Sequence, residues 1–142
     1  MNFSLTAELQ VGSFMKVMSL ALEGARLIPV EVELILSPGL PQIHFLGLPD
    51  QVIRESIHRI KSAIRSQGFD FPKAKQILVN VRPHHIKKTS RGLELAVAAA
   101  LLWETGQLPL PVQQDKYFIY GELGLNGEVY EPEDLRDFEP SA

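Results

Sequence analysis

The sequence predicts an α+β domain, a two-layer α/β sandwich with two main helices on one face of a mixed sheet. Alternating apolar and polar residues before residue 47 mark strands, and helical periodicity marks residues 50–67 and 92–105. A nearly continuous apolar stretch, KQILVNVR, separates those helices and reads as a central strand. The chain has 142 residues, 45% hydrophobic and 22% charged, which suits one globular domain with a real core.

In chain order, residues 15–22 are apolar and moderately alternating, and Gly24-Ala25-Arg26 reads as a turn. Residues 27–36 then place Val30, Val32, Leu34 and Leu36 on one face and Glu31 and Glu33 on the other, completing a hairpin with one solvated face. The turn SPGLP leads to a short strand at 42–46. Pro49-Asp50 opens the first helix, and Gly68 stops it. In that helix Ile53, Ile57, Ile60 and Ile64 form the buried stripe. Arg54, His58, Lys61 and Arg65 repeat the spacing one position later, about 100° around the helix.

After the strand at 75–82 comes a basic loop, PHHIKKTSR, and a second helix so apolar that it should be buried. Thr89 or Ser90 is the expected cap of this helix, Gly106 its end, Trp103 a core or interface residue, and Glu94 and Glu104 are expected on its surface. Residues 116–123 read as a further strand. The stretch LNGE at 125–128 reads as an Asn-Gly hairpin turn into a last strand, giving the order βββαβαββ.

Charge is segregated along the chain. Residues 54–91 hold ten Lys and Arg against Glu55 and Asp70, a net of +8, while the remaining four basic and fifteen acidic residues give −11. A basic block inside an acidic chain is the footprint of a face that meets a polyanion. The acidic remainder argues against membrane adhesion, and no apolar run approaches the ~20 residues of a membrane span. The start, MNFSLTAE, lacks the pattern of a secretory signal, so a cytoplasmic protein is expected. Zero cysteines exclude disulfides, thiolate metal sites and Cys nucleophiles.

No GxxxxGK[ST] phosphate loop occurs, so this chain alone is not expected to hydrolyse nucleotide. Neighbouring His84 and His85 have no carboxylate nearby to complete a metal site, and a surface or phosphate-contact role outweighs metal binding. Ser90 follows Lys87 and Lys88 and raises a Ser-Lys hydrolase as an alternative, but capping is the commoner role of such a residue. No catalytic and no metal-binding residue is assigned.

The stretch GLPD at 47–50, with ESIHRIKSAIRSQGFDFP after it, resembles the opening of the ComM/YifB-type magnesium-chelatase-like AAA+ ATPases. PVEVELILSPGLPQIHFLGLPD, ILVNVRPHHIKKTSRGLELAVAAALL and YGELGLNGEV resemble it too, in the family's order, covering residue 14 to about 130. The chain departs from the family's usual pattern at Thr89-Ser90, where an acidic-Gly pair is common, and at Ala96, where a proline is common.

The resemblance implies that residues 1–130 form a Lon-protease-like N-terminal domain, similar to domain 2 of ribosomal protein S-five, with 131–142 an acidic linker or tail. In full-length relatives an AAA+ module with its ATP and Mg²⁺ follows, and ComM-type members act as hexameric helicases in branch migration during natural transformation. The expected role is a non-catalytic accessory domain contacting DNA backbone through Arg54, His58, Lys61, Arg65, Lys87, Lys88 and Arg91. The alternatives are a docking or oligomerisation module that meets its own AAA+ module and neighbouring subunits, and a Lon-like Ser/Lys peptidase. Magnesium insertion into a porphyrin rests on the family label alone.

Overall fold

The computed structural model describes residues 13–46, 50–83 and 91–132. Strands β1 (Ser13–Glu23) and β2 (Arg26–Pro38) form a long antiparallel hairpin closed at Gly24-Ala25. β3 (Ile43–Leu46) precedes helix α1 (Asp50–Ser66), and β4 (Lys75–Arg82) follows it. β4 pairs antiparallel with β2 and parallel with β3, giving one mixed sheet in the order β1-β2-β4-β3. The parallel pair needs a crossover, and α1 supplies it. β4 is thus an interior strand, as its apolar run predicts.

Register and burial agree along the sheet. Val17 sits opposite Val32, and Val32 opposite Val81; Leu34 faces Val79, and Leu36 faces Ile77. All of these are buried, as are Ile43 and Phe45 beside them on β3. A slip of one residue would turn this whole set to the other face, so the pattern itself fixes the pairing. The two helices cover the buried face: α1 contributes Ile60, Ala63 and Ile64, and α2 (Leu93–Glu104) contributes most of its length. The two-layer α+β arrangement with both helices on one face is the one the sequence predicts.

Both helices end alike. Gly68 and Gly106 take φ of +81° and +73°, and each helix closes with paired bonds, Gly68 N–H to Arg65 O with Phe69 N–H to Ile64 O, and Gly106 N–H to Trp103 O with Gln107 N–H to Leu102 O. The start of α2 differs from expectation. Its N-cap is Gly92, with no side-chain cap, and Thr89 and Ser90 lie outside the described residues. Glycine is required there by close approach: a Cβ would stand 2.3 Å from the Tyr120 ring.

Residues 116–123 are not one strand. Gln114–Lys116 form a 3₁₀ turn, Phe118 makes a single bridge to Met18, and only Glu122–Leu123 (β5) pair with Val129–Tyr130 (β6). The reason lies in where the backbone bonds go. Ile119 N–H donates to Met18 O on β1, while Gly121 N–H donates to Gly92 O and Leu95 N–H to Gly121 O at the start of α2. A segment that changes partner within three residues crosses from sheet edge to helix and builds no ladder. For the same reason Gly121 lies outside the hairpin, whose loop spans residues 124–128 in place of a two-residue Asn-Gly turn.

Gly92→Ala tests the close approach. At an N-cap glycine is itself preferred to alanine, and the Tyr120 contact adds to that preference, making the substitution destabilising by about 1–3 kcal/mol. Urea unfolding of the two chains gives the sign directly.

Candidate nucleic-acid interface

Helix α1 carries three kinds of surface. Ile60 and Ile64 are buried and Ile57 half-buried, as the stripe predicts, and Ser56 and Ala63 widen the buried face. Along the outer line Arg54, His58 and Arg65 are exposed and Lys61 is half-buried. Lys61 Nζ and Arg65 Cζ lie 5.4 Å and 5.7 Å from the centre of the buried Phe71 ring. Both cations therefore hold their charged ends near the Phe71 ring, a contact that steadies them on this flank of α1. Among the described residues no carboxylate pairs with any of these four.

The third surface, carrying Glu55, Arg59, Ser62 and Ser66, faces the rest of the molecule. Ser62 and Ser66 hydroxyls donate to Leu125 O at 2.8 and 2.9 Å, and Gln67 Nε2 donates to Asn126 O at 2.7 Å, which fastens the β5–β6 hairpin to α1. Arg59 turns inward to Glu94 on α2, with Nε and a terminal nitrogen each 2.7 Å from Glu94 Oε2. Ser56 Oγ donates to the same oxygen at 2.8 Å, and Leu123 N–H approaches Oε1 at 3.4 Å.

Glu94 is thus not a surface charge. It is 2% exposed and joins α1, α2 and β5. Burial, the largest influence, pushes its carboxyl above the usual carboxylate range; the Ser56 and Arg59 bonds, the Arg59 charge and the Leu123 N–H pull the other way without cancelling it. The sequence did carry a signal for this cluster. Glu94 precedes Val97, Ala98 and Leu101 at three, four and seven positions, so it shares their buried stripe, and Ser56 lies four residues before Ile60. Its place in the first turn of α2 also suits a negative charge.

The predicted cations that are described fall into two groups, the line on α1 and Arg91. Arg91, exposed at the start of α2, lies on the Glu55 side of α1, with its guanidinium 3.6 Å from Glu55 Oε2. Arg59, from the same basic block, is committed to Glu94, and Arg82 reaches Glu31 and Glu33 on the sheet face away from the helices. Lys87 and Lys88, with His84, His85 and Ser90, lie outside the described residues. Among the described residues no three His, Asp or Glu side chains converge as a metal site, and no helix is long and apolar enough to cross a membrane.

The family described as subunit ChlI of Mg-chelatase matches residues 30–136, three quarters of the chain. The chain belongs to this family. The matched stretch runs from β2 through both helices to β6 and includes the cation line, Arg91 and the Ser56–Arg59–Glu94 cluster. Relatives of this ChlI-family chain include YifB of Escherichia coli, 37% identical over 101 residues, and Rv2897c of Mycobacterium tuberculosis, 34% identical over 101 residues. Both carry names that leave function open. The competence protein ComM of Haemophilus influenzae is 32% identical over 100 residues. These alignments take in 70–71% of the chain but 19–20% of each relative, so the chain spans about a fifth of the length of the curated relatives it matches. The resemblance to a ComM/YifB-type N-terminal domain stands on these matches.

The buried carboxylate gives two expected outcomes. Glu94→Ala leaves Arg59 without its partner inside the fold and lowers stability by about 3–5 kcal/mol, read by chemical denaturation. Glu94→Gln isolates the titration. Because the folded-state carboxyl binds its proton more tightly than the unfolded one, wild-type stability relative to Glu94→Gln falls as pH rises from the ordinary carboxylate value of 4.5 through the higher folded value. Unfolding of both chains across the acid-to-neutral range checks the sign.

Proposed function

We propose that this chain is a non-catalytic accessory domain of a ComM-like AAA+ ATPase and that it contacts the DNA backbone. The observation that carries this reading is the line of Arg54, His58, Lys61 and Arg65 on α1, held outward by the buried isoleucine stripe and unpaired with carboxylates among the described residues. Arg91, with Lys87 and Lys88 from the loop before it, completes the proposed contact set. Phosphate contacts of this kind hold the duplex without reading its bases, so binding is insensitive to sequence. ATP and Mg²⁺ belong, on this reading, to an ATPase region outside residues 1–142 of a parent that works as a cytoplasmic hexamer in DNA branch migration. The resemblance to ComM supports that setting.

Binding of the 142-residue chain to single-stranded, duplex and four-way-junction DNA across a salt series tests the proposal. Each phosphate neutralised on duplex DNA contributes about −0.9 to the slope of log affinity against log salt, so the six Lys and Arg residues of the set give a slope of about −5.4 if each meets a phosphate. Lys61→Glu with Arg65→Glu weakens binding about equally for all sequences and flattens the slope by roughly two. Absence of binding at low salt removes the DNA reading and leaves the same cations to dock on an acidic protein face.

A further inference from the structure

The acidic residue that interrupts the basic block points to a built-in competitor for the ligand. Glu55 Oε2 is 3.6 Å from Arg59 and also 3.6 Å from Arg91. Arg59 is itself fixed by its two bonds to buried Glu94. The partners Glu94, Arg59, Glu55 and Arg91 thus form one chain of charges, firm at its buried end and loose at its exposed end.

We propose that Glu55 stands in for a phosphate oxygen, occupying Arg91 until a polyanionic backbone displaces it. This rests on the DNA reading above and adds a regulated step to it. Two observations favour displacement over a permanent structural pair. The side chains of Glu55 and Arg91 are 49% and 56% exposed, and the long separation belongs to a weak surface ion pair that an incoming anion exchanges at little cost. Glu55 also follows Arg54 directly on α1, about 100° around the helix, so the residue that holds Arg91 adjoins the unpaired line. A single small anion gains only one weak cation there and does not repay the exchange. A polyanion already held by Arg54, His58, Lys61 and Arg65 brings further phosphates to Arg91 without a second association step. The contact thus favours extended nucleic acid over free phosphate.

The experiment is a double-mutant cycle on the 142-residue chain, with labelled duplex DNA titrated at several salt concentrations and inorganic phosphate as competitor. Glu55→Gln is expected to tighten duplex binding about two- to fivefold, the factor set by breaking an exposed ion pair, and to leave the salt slope nearly unchanged, because Arg91 meets a phosphate in both complexes. In an Arg91→Gln background the gain disappears. Inorganic phosphate at equal ionic strength competes no better than chloride against the wild-type chain. A purely structural Glu55 would lower the unfolding midpoint on substitution and leave affinity unmoved. If wild type binds DNA and Glu55→Gln binds equally, or the gain persists without Arg91, the displacement step is wrong and the DNA reading stands. If neither wild type nor Glu55→Gln binds at low salt, both fall together.

Discussion

A carboxylate with almost no exposed surface has to be matched by donors, and Glu94 draws them from three separate elements. Ser56 and Arg59 come from α1, the Leu123 amide comes from β5, and Glu94 itself begins α2. Apolar packing between two helices tolerates small slides and rotations, because many arrangements bury similar area. A two-nitrogen guanidinium contact at 2.7 Å does not. The cluster therefore selects one rotation of α1 about its axis, and that rotation decides which of its residues face water.

The constraint passes outward from there. With Arg59 and Ser56 turned inward, Ser62 and Ser66 meet the carbonyl of Leu125, and the hairpin is fastened along the same flank. The opposite flank reaches Phe71, where Lys61 and Arg65 rest on the ring. At the far end of the crossover, Asp70 and Gln107 exchange two hydrogen bonds, Asp70 N–H to the side-chain oxygen at 2.7 Å and the side-chain amide to Asp70 O at 2.8 Å. An amide side chain here substitutes for a neighbouring strand and ties the loop after α1 to the end of α2. Each tie is modest, but they act on the same two helices and reinforce a single packing.

Local patterning made most of this architecture legible. The period-two alternation of β2, the isoleucine spacing of α1 and the apolar run of β4 each have one competing interpretation, and length removes it. What escaped the sequence was decided by long-range partners. Residues 116–123 have strand-like composition, yet their backbone is divided between β1 and the start of α2, and only tertiary placement of that helix determines the division. The cap of α2 followed a preference for Ser and Thr, whereas the ring of Tyr120 leaves space at that position only for glycine. Glu94 was misplaced for a different reason: residue type outweighed helical position, although its spacing to Val97 and Leu101 put it on the buried side. Net charge alone is coarser than the fold, since adding up cations along a segment does not say that Arg59 turns to Glu94 and Arg82 to Glu31 and Glu33.

The ion pairs carry a physical lesson about basic surfaces. Ten cations in one segment form an interface only where the fold leaves them unpaired and on one side. Among the described residues, three of them have carboxylate partners: Arg59 inside, Arg82 on the other face of the sheet, and Arg91 through Glu55. The line on α1 is the part that satisfies both conditions among the described residues, and it does so because its helix is fixed by a buried ion pair on another flank. The same arginine-to-carboxylate chemistry appears at two depths, buried at Glu94 and exposed at Glu55. Burial makes the first hard to break, since removing either partner strands a charge away from water. Exposure makes the second easy to exchange, since water and salt already compete for both ions. A fold that anchors Arg59 firmly and Arg91 weakly on successive members of one charge chain can lose the outer pair and keep its architecture.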